Sequence, residues 1–156
     1  MTTSAGILLY RLLPEPQVLI AHMGGPFWAA KDAGAWSIPK GEFAEGEETA
    51  LDAALREFGE ELGVPAPEVP YAELGTYRYT SGKRITVFVA DGTEFEPPTA
   101  GFGEFELEWP PRSGRTASFP EVDRAEWVSL DSARERLVKG QRPAVDSLEE
   151  HLAAAS

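Results

Sequence analysis

The sequence predicts one α/β domain of the α+β kind, in which a mixed sheet carries helices on both sides. Three observations predict it. Short runs of β-forming residues recur along the chain. One stretch in the first half is strongly amphipathic with helical spacing. Thirteen prolines and fifteen glycines punctuate the rest, as many short elements joined by turns require. A chain of 156 residues suits a single domain with its own core, so residues 1–156 are expected to form one unit.

The elements follow in order. Residues 4–12 are rich in β-formers and read as a strand, with residues 17–22 as its partner across a turn at Pro14-Glu15-Pro16. A loop then runs from Met23 to Gly34. Residues 36–38 form a short strand stopped by Pro39, which has no N–H to donate. In the helix, Leu51, Ala54, Leu55, Phe58 and Leu62 make one apolar stripe. Thr49 is its N-cap, with Asp52 three residues on as the shorter acid of a capping box. Gly63 and Pro65 stop it. Gly59 costs roughly 1 kcal/mol relative to Ala inside a helix, a cost that close packing against a neighbour would justify. Residues 71–79 and 84–91 read as a hairpin around Thr80-Ser81-Gly82-Lys83. Residues 105–109 alternate as a strand, and 110–115 form a basic, turn-rich loop. Residues 125–130 read as the last strand. Leu130-Asp131-Ser132 caps a second helix over 133–138, and Pro143 opens a third that reaches about His151.

Composition narrows the function. The formal net charge is −12, which opposes binding to nucleic acid duplexes through their phosphates. A small phosphorylated ligand remains compatible, given a local group of Lys and Arg or a bridging divalent cation. The apolar runs Ile7-Leu8-Leu9 and Val87-Phe88-Val89-Ala90 are too short to cross a bilayer, so no membrane partner is expected. The first six residues lack a basic region followed by a long apolar one, so no secretory signal is expected and the cytoplasm is the default. There are no cysteines, hence no disulfides and no thiolate metal site.

The richest segment is Leu55-Arg56-Glu57-Phe58-Gly59-Glu60-Glu61-Leu62-Gly63-Val64. Glu57, Glu60 and Glu61 stand at spacings that share one helix face, away from the apolar stripe. Three like charges repel one another. Such a face is either solvated surface or a site that waits for a cation.

These residues resemble the Nudix hydrolase signature: Gly, five residues, Glu, seven residues, Arg-Glu, an apolar residue, any residue, Glu-Glu, any residue, Gly, an apolar residue. Gly41 begins it, and Arg56 through Val64 match every defined position. The first half holds one extra residue, most cheaply placed in the loop 42–47. Either Glu47 or Glu48 therefore stands where the family has its first Glu. The lead-in Trp36-Ser37-Ile38-Pro39-Lys40-Gly41-Glu42 is similar to that of members acting on nucleotides, dinucleoside polyphosphates and inositol polyphosphates.

The resemblance implies a Nudix-type α/β/α sandwich and a pyrophosphohydrolase that cleaves a nucleoside diphosphate linked to another group. The oxygens around such a bond repel an attacking water, and divalent cations offset that repulsion. Hard oxygen donors and a phosphate substrate imply Mg²⁺, or Mn²⁺ in its place. By resemblance Glu57, Glu60 and Glu61 hold the metal, helped by the carbonyl of Gly41. One of Glu60 and Glu61 alternatively orients the water as base. Arg56 orients the acidic face by a salt bridge. Glu121, just before the last strand, is a second catalytic candidate, because several relatives carry a metal-binding or base Glu in that loop. Lys40, Arg84, Arg112 and Arg115 are candidate phosphate contacts. Tyr79, with Phe27, Trp28 and Tyr77, is a candidate to stack a base. His22 and His151 are expected to be incidental. Two other readings stand beside the leading one: a dinucleoside polyphosphate (Ap4A-type) hydrolase, and a Nudix-fold sensor that binds a nucleotide without cleaving it.

Overall fold

In a computed structural model that describes residues 3–155, the first strand, β1 (Thr3–Arg11), lies at the centre of a seven-stranded sheet. β2 (Gln17–Met23), β3 (Trp36–Ser37) and β4 (Lys40–Glu42) come next in the chain, followed by helix α1 (Ala50–Leu62). Then come β5 (Ala72–Arg78), β6 (Arg84–Asp91), β7 (Glu104–Glu108), β8 (Thr116–Pro120) and β9 (Val122–Ser129). The chain closes with α2 (Leu130–Arg136), a 3-10 turn (Lys139–Gln141) and α3 (Arg142–Ala155). The sheet order is β3-β2-β1-β6-β5, with β4 added to β1 and β9 to β2. β1 and β6 run parallel and the other pairs antiparallel, so the sheet is mixed as predicted.

The period of two along the central strands divides the core. Ala5, Ile7 and Leu9 of β1, with Leu19 and Ala21 of β2 and Phe88 and Ala90 of β6, point to α1 and pack on its Ala53, Ala54, Phe58 and Leu62. Their neighbours Leu8, Val18, Ile20, Ile85, Val87 and Val89 point the other way, onto Leu130, Ala133, Ala144, Val145 and Leu148 of α2 and α3. Both sheet faces are therefore covered, and the α/β/α layering follows.

Helix α1 begins and ends where its caps require. The Thr49 hydroxyl accepts from the Asp52 N–H at 3.1 Å, and Gly63 closes the helix at φ +76° with its N–H on the Gly59 carbonyl at 2.9 Å. Among the described residues no such close neighbour lies at Gly59. A Cβ there would meet only the Val64 carbonyl oxygen, at 3.9 Å. Gly59→Ala should therefore raise stability by about 0.5–1 kcal/mol, checked by urea unfolding.

Several boundaries differ from the sequence reading. β4 and β8 were not predicted. β4 is three residues long and is a strand only because β1 pairs with it, Gly6 opposite Lys40 and Ser4 opposite Glu42. β8 pairs with β7 in a separate two-stranded sheet, after a Pro-rich turn that hides it from pattern reading. β9 starts at Val122 rather than residue 125, because β2 supplies a partner as far as Met23 opposite Val122. The cap of α2 is Ser129, whose hydroxyl accepts from the Ser132 N–H at 3.1 Å, so the helix starts at Leu130 rather than residue 133. α3 continues past His151 to Ala155.

Candidate active site

β4 and α1 build the site together. Gly41 lies in β4, and a Cβ on it would fall 2.0 Å from the carboxyl carbon of Glu57. Only glycine lets that carboxylate lie against the strand backbone. One residue earlier, the Lys40 N–H donates to Glu61 Oε1 at 3.1 Å. Glu57 and Glu61 are one helical turn apart, so β4 meets both on the same side of α1. Glu60 stands further out, with its side chain 58% exposed against 16% for Glu57.

Arg56 gathers the acids. Its guanidinium holds Glu48 with two bonds, Nη2 to Oε1 at 2.6 Å and Nε to Oε2 at 3.2 Å. Its Nη1 donates to Glu57 at 2.8 Å and to both oxygens of Glu60 at 3.3 Å. Of the two residues left open in the first half of the motif, Glu48 is thus the one tied to the helix. Arg56's hydrogen bonds hold the Glu48 carboxyl below its ordinary range.

Glu121 arrives from the far end of the chain. Its N–H donates to the Gly103 carbonyl at 2.7 Å, and the Gly103 N–H donates to the Glu61 carbonyl at 3.0 Å. The Glu121 carbonyl accepts from the Gly24 N–H at 3.0 Å. Residue 103 is therefore a strap between the end of α1 and the start of β9. Electrostatics register the approach. Burial first, then the charges of Glu57 and Glu60, push the Glu121 carboxyl up, against the pull of Lys40. Burial likewise pushes Glu61 up to about 7, opposed by the charge and N–H of Lys40 and assisted by Glu121 and Glu57.

Two cavities flank Lys40. One, of about 290 Å³, is lined by Lys40, Glu61 and Glu121 together with the aromatic rings of Phe27, Trp28 and Phe105. The other, of about 520 Å³, shares Met23, Ser37 and Lys40 with the first and adds Tyr79. Of the candidate phosphate contacts, Lys40 lines both cavities, while Arg84, Arg112 and Arg115 line neither. Arg112 and Arg115 sit at the turn of the β7–β8 hairpin, and Arg84 opens β6 opposite Arg78. Of the candidate stacking rings, Phe27, Trp28 and Tyr79 reach a cavity. Tyr77 instead packs on the α2–α3 side of the core.

Two residues matter more than the sequence suggested. His22 is fully buried, with Nδ1 2.8 Å from Asp123 Oδ1 and Nε2 2.6 Å from the Lys31 carbonyl oxygen. It is not incidental: it fastens the loop after β2 to β9. Gln141, also fully buried, accepts from the Ile38 N–H at 2.8 Å and donates to Ser37 Oγ at 3.0 Å and Tyr79 Oη at 2.9 Å. It fixes the segment that leads into Lys40 and Gly41. Nothing local in the sequence marks it, since glutamine at a helix junction is ordinarily exposed.

The oxygen-only donor set of Glu57, Glu60, Glu61 and the Gly41 carbonyl suits a hard divalent cation, and the bare Gly41 backbone leaves Glu57 room to lie beside that carbonyl. Among the described residues, no three His, Asp or Glu side chains already form a closed cluster.

The chain matches the NUDIX domain family over residues 2–148. It is 33% identical over 88 residues to a protein of Enterobacteria phage T4 described as an uncharacterized 17.7 kDa protein in the e-segB intergenic region. That match covers 56% of this chain and 57% of the relative, so the chain spans a little over half the length of that protein. Its fold is similar to that of a C. elegans Ap4A hydrolase binary complex, with a TM-score of 0.64, 18% identity and 99% of each chain covered. The NUDIX domain of Shewanella oneidensis NrtR complexed with ADP ribose gives a TM-score of 0.63 at 15% identity, covering 96% of this chain and 87% of that one. The M. smegmatis Nudix hydrolase RenU gives 0.60 at 23% identity, covering 99% and 87%. At these identities the structures share the fold.

Proposed function

This chain belongs to the Nudix family, and on that premise we propose that it is a divalent-metal-dependent hydrolase of a pyrophosphate bond in a nucleotide-type substrate. The observation that supports this most is the grip of β4 on α1: Gly41 against Glu57 and Lys40 on Glu61, with Glu121 brought to the same cavity. In this reading Glu57, Glu60, Glu61 and the Gly41 carbonyl hold Mg²⁺, for which Mn²⁺ can stand in. When bound, the cation supplies neutralisation of the phosphate oxygens and acidifies water.

The protein's own groups do the rest. Lys40 sets its ammonium beside the phosphates at the meeting of the two cavities. Arg56 offsets the repulsion among Glu48, Glu57 and Glu60 and keeps them on one face. Glu61 and Glu121 both line the cavity beside Lys40, which makes them the leading candidates to take the proton of the attacking water. With a net charge of −12, a small soluble substrate in the cytoplasm fits better than a nucleic acid duplex. No described helix is long and apolar enough to cross a membrane.

Two cavities rather than one favour a substrate with a group on each side of the bond. A dinucleoside polyphosphate is one such substrate, and the Ap4A hydrolase of C. elegans has a similar fold. The experiment is a nucleotide panel with Mg²⁺ and with chelator, products identified by mass. Turnover that needs the metal is expected. Substrates that bind without being cleaved would make the protein a sensor instead.

A further inference from the structure

We propose that the larger cavity beside Lys40 seats the arm of the substrate that does not react, and that Arg78 and Lys139 at its rim recognise a phosphate on that arm. The inference rests on the hydrolase reading and specifies its substrate: a pyrophosphate linking a nucleotide to a second, phosphorylated group.

Four observations carry it. The first is placement. The cavity of about 520 Å³ meets the carboxylate-lined one along Met23, Ser37 and Lys40, so a bond held at Lys40 sends one arm into each. The second is the contrast between them. The smaller cavity offers Phe27, Trp28 and Phe105, which suit a flat apolar group, whereas the larger offers Arg78 and Lys139 beside Tyr79, Val138 and Pro143.

The third is unspent charge. In a chain of net −12, Arg56, Lys83, Arg124, Arg134 and Arg136 all have acidic partners. Arg78 and Lys139 form no ion pair among the described residues; seven other basic residues share that state, and what sets these two apart, with Lys40, is their place on the cavity wall. Arg78 also lies directly opposite Arg84 across β5 and β6, a like-charge pairing that costs stability. Among the described residues the buried Nε of Arg84 has no hydrogen-bond partner, so Arg84 does not relieve that cost. An anion beside Arg78 offsets it.

The fourth is rigidity. Gln141, fully buried, ties the Tyr79 hydroxyl to Ser37 and Ile38, so the wall and the lead-in to Lys40 are one preformed unit. A substrate's far phosphate then fixes the register of the bond at Lys40 without any loop needing to close.

The test is the double variant Arg78→Gln with Lys139→Gln. Both side chains are exposed, so the fold tolerates the change. The probes are matched pairs that differ by one phosphate on the second arm: ADP-ribose 1″-phosphate against ADP-ribose, and NADP⁺ against NAD⁺. In the unaltered protein with Mg²⁺, KM should be about tenfold lower for the phosphorylated member of a pair. In the variant that advantage disappears, with kcat within about twofold and the unphosphorylated member unaffected. Equal KM values for both members in the unaltered protein, or equal losses for both in the variant, would overturn the proposal. Calorimetric binding of the same pairs in chelator separates the two readings. If nothing turns over in these pairs or in the nucleotide panel, the hydrolase reading falls, and a tenfold binding preference lost in the variant still upholds the phosphate seat. No preference in binding removes it.

Discussion

Glu61→Gln should lower turnover by roughly two to three orders of magnitude and, at neutral pH and above, raise stability. Glutamine keeps the shape, and its oxygen still accepts the Lys40 N–H that Glu61 Oε1 accepts at 3.1 Å. What it loses is the charge, which the proposed chemistry needs and the fold resists. Burial lifts the Glu61 carboxyl from 4.5 to about 7. Between those values the folded chain keeps a proton that the unfolded chain has released. The contribution of Glu61 to stability is therefore greatest below about 4.5 and falls as pH rises toward 7. Above that, in metal-free buffer, the ionised carboxylate costs on the order of 3 kcal/mol. The variant has no such cost, so its advantage in urea unfolding should be small at pH 5 and large at pH 8. Near-normal turnover with Mg²⁺ would sink the catalytic part. A stability gap that ignores pH would sink the electrostatic part.

Gly63→Ala should cost about 3 kcal/mol or more and depress turnover at the same time. Gly63 caps α1 at φ +76°, a conformation that alone penalises alanine by about 1 kcal/mol. Its Cβ would also fall 1.9 Å from the Gly101 carbonyl oxygen, which is backbone and cannot rotate aside. The strap that must shift is the one whose Gly103 bonds Glu61 and Glu121 at 3.0 and 2.7 Å. The lesion therefore spreads from a helix end to the second wall of the site. Gly59→Ala, one turn earlier with open space around it, is predicted to act in the opposite direction. Urea midpoints and kcat of the two variants, measured side by side, decide the matter; a Gly63→Ala protein as stable as the parent would refute the argument.

The contrast between these glycines shows what was legible. From sequence both are breaks in an otherwise good helix, and the cap at Gly63 was readable because Pro65 follows it. Which of them has a neighbour pressed against it was not readable. The same holds for β4. Three residues after a proline carry no period, yet they position Glu57 and Glu61 because β1 lies beside them. Arg84, Arg112 and Arg115 were reasonable as cations near phosphate, but strand register and hairpin placement keep them off the cavity walls, while Arg78 and Lys139, unremarked in the sequence, line one.

The chain by itself determined the amphipathic helix, its caps and the acidic face. Each of these depends on residues no more than about four apart, whose geometry the backbone period dictates. The tertiary structure alone decided that His22 meets Asp123 across 101 residues, that Gln141 holds Ser37 across 104, and that Glu121 faces the glutamates of α1. Those meetings depend on which strands pair and on how the chain crosses between them. Burial and closure of the whole sheet set that pairing, and no local pattern encodes it.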